Sequence, residues 1–144
     1  MALLAKYFKL SGEKKLVLLE ALFYLLRAKL LLSLTPFRWV AERLKKSNLE
    51  PRPVFAPAEI QVAELVTWAV EAVARHAGLR LVCLPQAIAA KWMLQRRGLP
   101  TKLYIGVKNG EENKVAAHAW LTAGQLILTG KKEMEGHQVI AVFG

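Results

Sequence analysis

From Gly12 to Leu34 the chain is a dense run of Leu, Ala, Val and Phe broken by single polar residues. The run opens at Ser11-Gly12-Glu13, where Ser11 can cap a helix. It closes at Thr35-Pro36, where proline disfavours continuation. This pattern predicts one long helix, with a second short helix over Phe37–Lys46. On the long helix Glu13, Glu20, Tyr24 and Arg27 fall on one narrow stripe, and Lys15, Lys29 and Ser33 make a second polar spot. The remaining circumference is apolar and needs cover from the domain's own core or from a partner.

Ser47–Pro57 carries Pro51, Pro53 and Pro57 among polar residues and reads as a linker. It divides the chain into an N-terminal helical region, 1–50, expected to pack or dock, and a core, 58–144. From Ala58 the positions Ile60, Ala63, Val66, Val70 and Val73 recur at helical spacing until His76-Ala77-Gly78, with glycine as the stop. A further helix begins at or just before Cys83, tolerates Pro85 in its first turn, and ends at Arg96-Arg97-Gly98. The pattern then changes to short runs, Lys102–Val107, Val115–Leu121, Gln125–Thr129 and Gln138–Phe143. Asn109-Gly110, Ala123-Gly124 and Glu135-Gly136 separate them, as turns separate antiparallel strands. Helices first and strands afterwards make an α+β fold.

Composition narrows the class. The 144 residues are 54% apolar and 22% charged, which fits a packed core rather than disorder. A net charge of +10 favours acidic peptides, nucleic acid or an anionic membrane surface as partners. The four dibasic pairs, Lys14-Lys15, Lys45-Lys46, Arg96-Arg97 and Lys131-Lys132, are dispersed, and no familiar nucleic-acid-binding motif accompanies them. All eleven acidic side chains are Glu, so no chemistry can rest on Asp. The single cysteine excludes an intrachain disulfide and fits a reducing cytosol. Leu16–Phe37 is long enough to span a bilayer, but Glu20, Arg27 and Lys29 interrupt it. A central charge costs about 2.5–3.5 kcal/mol on insertion, which argues against a span and leaves contact with a membrane surface open.

Two residues stand out chemically. Cys83 lies where a loop becomes a helix, and the positive end of the helix dipole there stabilises a thiolate. His118 lies inside Ala116-Ala-His-Ala-Trp120, an apolar strand where an imidazole needs a partner or a task. A thiol followed by a sequence-distant histidine is what a cysteine peptidase requires. The alternatives are a small buried thiol and a core histidine bonded to main chain. His76, near a helix C-terminus, and His137, before the last strand, read as structural. No metal-ligand spacing and no glycine-rich phosphate loop are present, and no cofactor is expected.

Cys83-Leu-Pro-Gln-Ala-Ile-Ala-Ala-Lys-Trp-Met-Leu-Gln-Arg-Arg-Gly98, then Tyr104-Ile-Gly-Val107, then Ala117-His-Ala-Trp-Leu121 with a following glycine turn, form an ordered set. In this set the sequence resembles the stand-alone leader peptidases of lasso-peptide biosynthesis, a transglutaminase-like family of cysteine peptidases. The resemblance covers most of the chain and is strongest from Cys83 to Gly130. It implies a papain-like or transglutaminase-like core in which the helix bearing the cysteine packs on an antiparallel sheet bearing the histidine. Cys83 then matches the nucleophile and His118 the base. The implied partners are a precursor leader peptide, a small leader-recognition protein and a separate ATP-dependent synthetase that closes the lasso ring.

The family's third triad member is an Asp about one hairpin after the histidine, where this chain reads Leu128-Thr-Gly130. His118 must therefore be oriented by a main-chain carbonyl or by Thr129, Asn113, Gln125 or Glu133. Losing an orienting residue lowers the rate of such a pair without removing it. Two other readings keep the same fold: a non-catalytic adaptor of the maturation complex, and an acyl-transfer enzyme that uses the same Cys-His pair.

Overall fold

The computed structural model describes residues 12–45, 50, 53–76, 83–109, 115–129 and 138–143. Side chains are described for these except Lys45, Cys83, Lys108, Asn109 and residues 115–117. Helices α1 (Gly12–Leu34), α2 (Phe37–Lys45), α3 (Pro57–His76) and α4 (Cys83–Arg96) precede strands β1 (Lys102–Asn109), β2 (Val115–Ala123), β3 (Leu126–Thr129) and β4 (Gln138–Phe143). The strands form one antiparallel sheet in the order β3-β2-β1-β4. The fold is α+β, as the order of patterns predicts.

Local chemistry sets the helix ends. At α3 the Ala56 N–H donates to Glu59 Oε1 at 3.0 Å while Pro57 occupies the first helical position, so a capping carboxylate and a pre-set φ start the helix together. At the end of α4 the Leu99 N–H donates to the Leu94 carbonyl at 2.9 Å, and Gly98 takes φ +75°. That is the left-handed stop glycine supplies most cheaply, and it turns the chain directly into β1.

Helix α4 is the centre of the molecule. Ala87, Ile88, Ala89, Ala90, Met93 and Leu94 are completely buried, because α1 and α3 pack on it from one side and the sheet from the other. Its alanines allow that close approach on several faces. Four residues of α1, Val17, Ala21, Leu25 and Ala28, belong to the same core as α3, α4 and the sheet. The opposite side of α1 is not covered: Leu16, Leu19, Phe23, Leu26, Leu30 and Leu34 are exposed, from 40% at Leu26 to 77% at Leu34. Among the described residues no helix is long and apolar enough to cross a membrane.

Strands β1 and β2 pair from Lys102↔Thr122 to Asn109↔Val115. Bulges between Ile105 and Gly106, where β1 meets β4, and between Leu121 and Thr122, where β2 meets β3, bend the two flanks of the sheet. Leu103, Ala119, Leu121, Ala123 and Phe143 face the helices and fill the core.

Candidate active site

Cys83 is the first residue of α4. The unpaired N–H groups of a helix's first turn give that end a partial positive charge, which favours a thiolate. Of the strands, the helix packs chiefly on β2, the one that carries His118. With 14 residues, α4 is about 21 Å long. The two candidate residues therefore sit on elements that pack together, but the alternation of β2 sets the His118 side chain on the face away from Ala119 and Leu121, the residues that meet the helices. The Cys83 side chain lies outside the described ones.

His118 stands opposite Gly106 of β1, which in turn stands opposite Val139 of β4. Gly106 puts no side chain between them. Strand alternation sets His118, Trp120 and Thr122 on the face away from Ala119, Leu121 and Ala123. On that face Trp120 is buried and stacks on Tyr104, its cross-strand neighbour, with ring centroids 5.7 Å apart and planes 6° from parallel. The stack fixes the strand two residues beyond the imidazole.

Of the residues expected to orient His118, Asn113 and Glu133 lie outside the described residues, as does His137. Gln125 is engaged elsewhere: its Oε1 accepts the Phe55 N–H at 2.8 Å, and its Nε2 reaches the Phe55 carbonyl at 3.5 Å. Thr129 is buried opposite Leu121, and its hydroxyl has no hydrogen-bond partner among the described residues. Neither side chain is bonded to His118. His76 ends α3 and is exposed.

Lys91, which the apolar pattern of α4 conceals, is 1% exposed. Its Nζ donates to the Thr101 carbonyl at 3.1 Å and to Thr101 Oγ1 at 3.3 Å. Among the described residues no carboxylate is bonded to it there, and burial lowers its pKa to about 8. A lone Lys between Ala90 and Trp92 is the sequence signal that would have found it. Among the described residues no group of His, Cys or Glu is placed to hold a metal ion.

A family model described as the Transglutaminase-like superfamily matches residues 25–142, from within α1 to β4. No curated protein and no solved structure matches the chain.

Proposed function

The chain belongs to the transglutaminase-like superfamily, a group of cysteine peptidases and acyl-transfer enzymes, and from that premise we propose that it is a cysteine peptidase that removes the leader from a lasso-peptide precursor. The observation that carries the reading is the placement of Cys83 at the start of the central helix, packed on the strand that bears His118.

In the proposed reaction the Cys83 thiolate attacks the carbonyl at the leader–core junction. The Cys83 main-chain N–H, at the positive helix end, is the candidate oxyanion donor. The C–N bond then breaks, and the imidazolium of His118 gives its proton to the departing amine of the core peptide. Water attacks the resulting thioester, His118 accepts its proton, and the C–S bond breaks to release the leader carboxylate and restore the thiolate. A small recognition protein presents the leader, and an ATP-dependent synthetase takes up the freed core.

A second reading is a non-catalytic adaptor, favoured by the absence of Asp from the chain and by the unpartnered hydroxyl of Thr129, in the region after the histidine where the family carries its acid. Mass spectrometry of a precursor incubated with the protein and the recognition partner separates the two. Wild type is expected to release a leader-sized fragment, and Cys83→Ala to release none. An intact precursor in a confirmed complex with wild type would establish the adaptor. An amine adduct of the leader, on adding an amine nucleophile, would instead identify acyl transfer.

A further inference from the structure

Arg27 of α1, Arg43 of α2 and Arg96 of α4 converge on an open cleft of about 490 Å³, lined also by Tyr24, Trp92 and Gln95. The guanidinium of Arg27 lies over the Trp92 ring, 4.8 Å from its centroid, and Tyr24 leans on the same ring at 6.1 Å. Among the described residues Glu20 is the carboxylate that pairs with arginine beside the cleft. Both its oxygens are taken by Arg97, and one of them is shared with Arg96 at 3.2 Å. Arg27 and Arg43 have no ion pair among the described residues. Three permanent cations with planar forks therefore face a cleft holding too little negative charge to balance them.

We infer that this cleft binds a carboxylate-rich peptide segment, an acidic stretch of the precursor's leader; the inference rests on the peptidase reading. Arginine forks bind carboxylates through two parallel bonds, which fixes direction as well as charge. The surface beside the cleft is apolar: Phe23, exposed on α1, meets Tyr24 edge-on at 5.2 Å between ring centroids. A segment that alternates acidic and apolar residues thus finds both kinds of contact along one side of α1. A nucleic acid fits less well, because Lys14, of the Lys14-Lys15 pair, lies away from the cleft, over Trp68 of α3 at 5.7 Å. The cleft is framed by α1, α2 and α4, with Arg96 at the far end of α4 from Cys83, so it would hold the substrate at a distance from the bond that is cut.

The test is fluorescence anisotropy of the full chain with a short labelled peptide alternating Glu and Leu, alongside its Gln-for-Glu counterpart and a labelled single-stranded DNA. Wild type and Cys83→Ala are expected to bind the Glu peptide alike, more weakly as salt rises, and to bind the Gln peptide far less. Arg27→Gln combined with Arg43→Gln is expected to weaken binding about tenfold or more. Arg43→Glu, a reversal at an exposed residue without a partner among the described residues, should do the same while leaving the melting temperature unchanged. Equal binding by Arg43→Glu, equal binding of the Gln peptide, or no binding of the Glu peptide would overturn the inference. Tighter, arginine-dependent DNA binding would replace it with a polyanion site. Because binding is read with Cys83→Ala as well, loss of the peptidase reading alone would leave arginine-dependent peptide binding visible without cleavage.

Discussion

Arg97 clamps Glu20 at two points, Nη2 to Oε2 at 2.6 Å and Nη1 to Oε1 at 2.8 Å, and so ties α1 to the residue that follows α4. The same Nη1 donates to the Met93 carbonyl at 3.0 Å, which anchors the clamp to the helix itself. Burial works to raise the Glu20 pKa, but the bonds and charge of Arg97, with Arg96 beside it, outweigh burial and hold the pKa below 4.5. A carboxyl with a depressed folded pKa contributes stability above its unfolded pKa and loses it as pH falls through the folded value. Glu20→Gln is expected to cost about 1–3 kcal/mol at pH 7 and to flatten the acid limb of the stability profile. Urea unfolding of both proteins between pH 7 and pH 3 checks both effects.

How far the sequence carried this reading differs by element. Helix and strand ends were legible because proline and glycine mark them: Thr35-Pro36, Gly98 and Gly124 fall at the ends of α1, α4 and β2. The bulges in the sheet were not, since no residue type demands them there. Leucines around most of α1 implied cover on more than one side. The structure instead buries Val17, Ala21, Leu25 and Ala28 and leaves Leu16 and Leu30 in the open, because burial depends on what the fold brings near. Cys83 and His118 were candidates from residue type and context, and the structure adds the elements that carry them. The Arg27, Arg43 and Arg96 cleft was not legible, because its members come from three helices and converge only in space.

Through Val17, Ala21, Leu25 and Ala28, α1 shares one core with α3, α4 and the sheet, and it is expected to be inseparable from the domain. Leu25 is completely buried, and Leu25→Ala is expected to destabilise by about 2–5 kcal/mol. Deleting residues 1–46 removes Val17, Ala21, Leu25 and Ala28 together, and the product should lose cooperative thermal unfolding. A truncated chain that melts sharply would show instead that α1 is an appended docking helix.

Lys91 gives the molecule an alkaline signature. Its pKa falls from 10.5 to about 8 through burial, so below pH 8 both folded and unfolded chains carry the proton and the burial penalty is fully present. Between about 8 and 10.5 the folded state releases the proton before the unfolded state does, so this group's contribution to stability rises with pH. The rise is on the order of 3 kcal/mol at most. Lys91→Met should lack it, and the wild-type minus variant difference in unfolding free energy from pH 7.5 to 9.5 isolates the effect from other alkaline titrations.

Gly124 holds the β2–β3 turn against the segment before α3. Its φ is +55°, and a Cβ there would lie 2.9 Å from Phe55 Cδ1 and 3.3 Å from the Phe55 nitrogen. Gly124→Ala meets an unfavourable backbone conformation and a buried ring at once. It should lower stability by about 1–3 kcal/mol and disturb the Phe55 N–H bond to Gln125 Oε1. Faster hydrogen exchange at the Phe55 amide would report the second effect directly.

Thr129 tests what replaces the missing acid. Its hydroxyl is buried with no hydrogen-bond partner among the described residues, a state that costs stability instead of adding it. Thr129→Val keeps the shape and removes the unpaired oxygen, so stability should hold or rise by about 1 kcal/mol. Because that hydroxyl is not bonded to His118, cysteine-dependent cleavage should proceed at the wild-type rate with an unchanged pH profile. A folded Thr129→Val protein with a large fall in kcat would instead make Thr129 the positioning residue for His118. Its hydroxyl would then have to turn toward the imidazole once substrate is bound, and restoring the oxygen with Thr129→Ser should recover the rate.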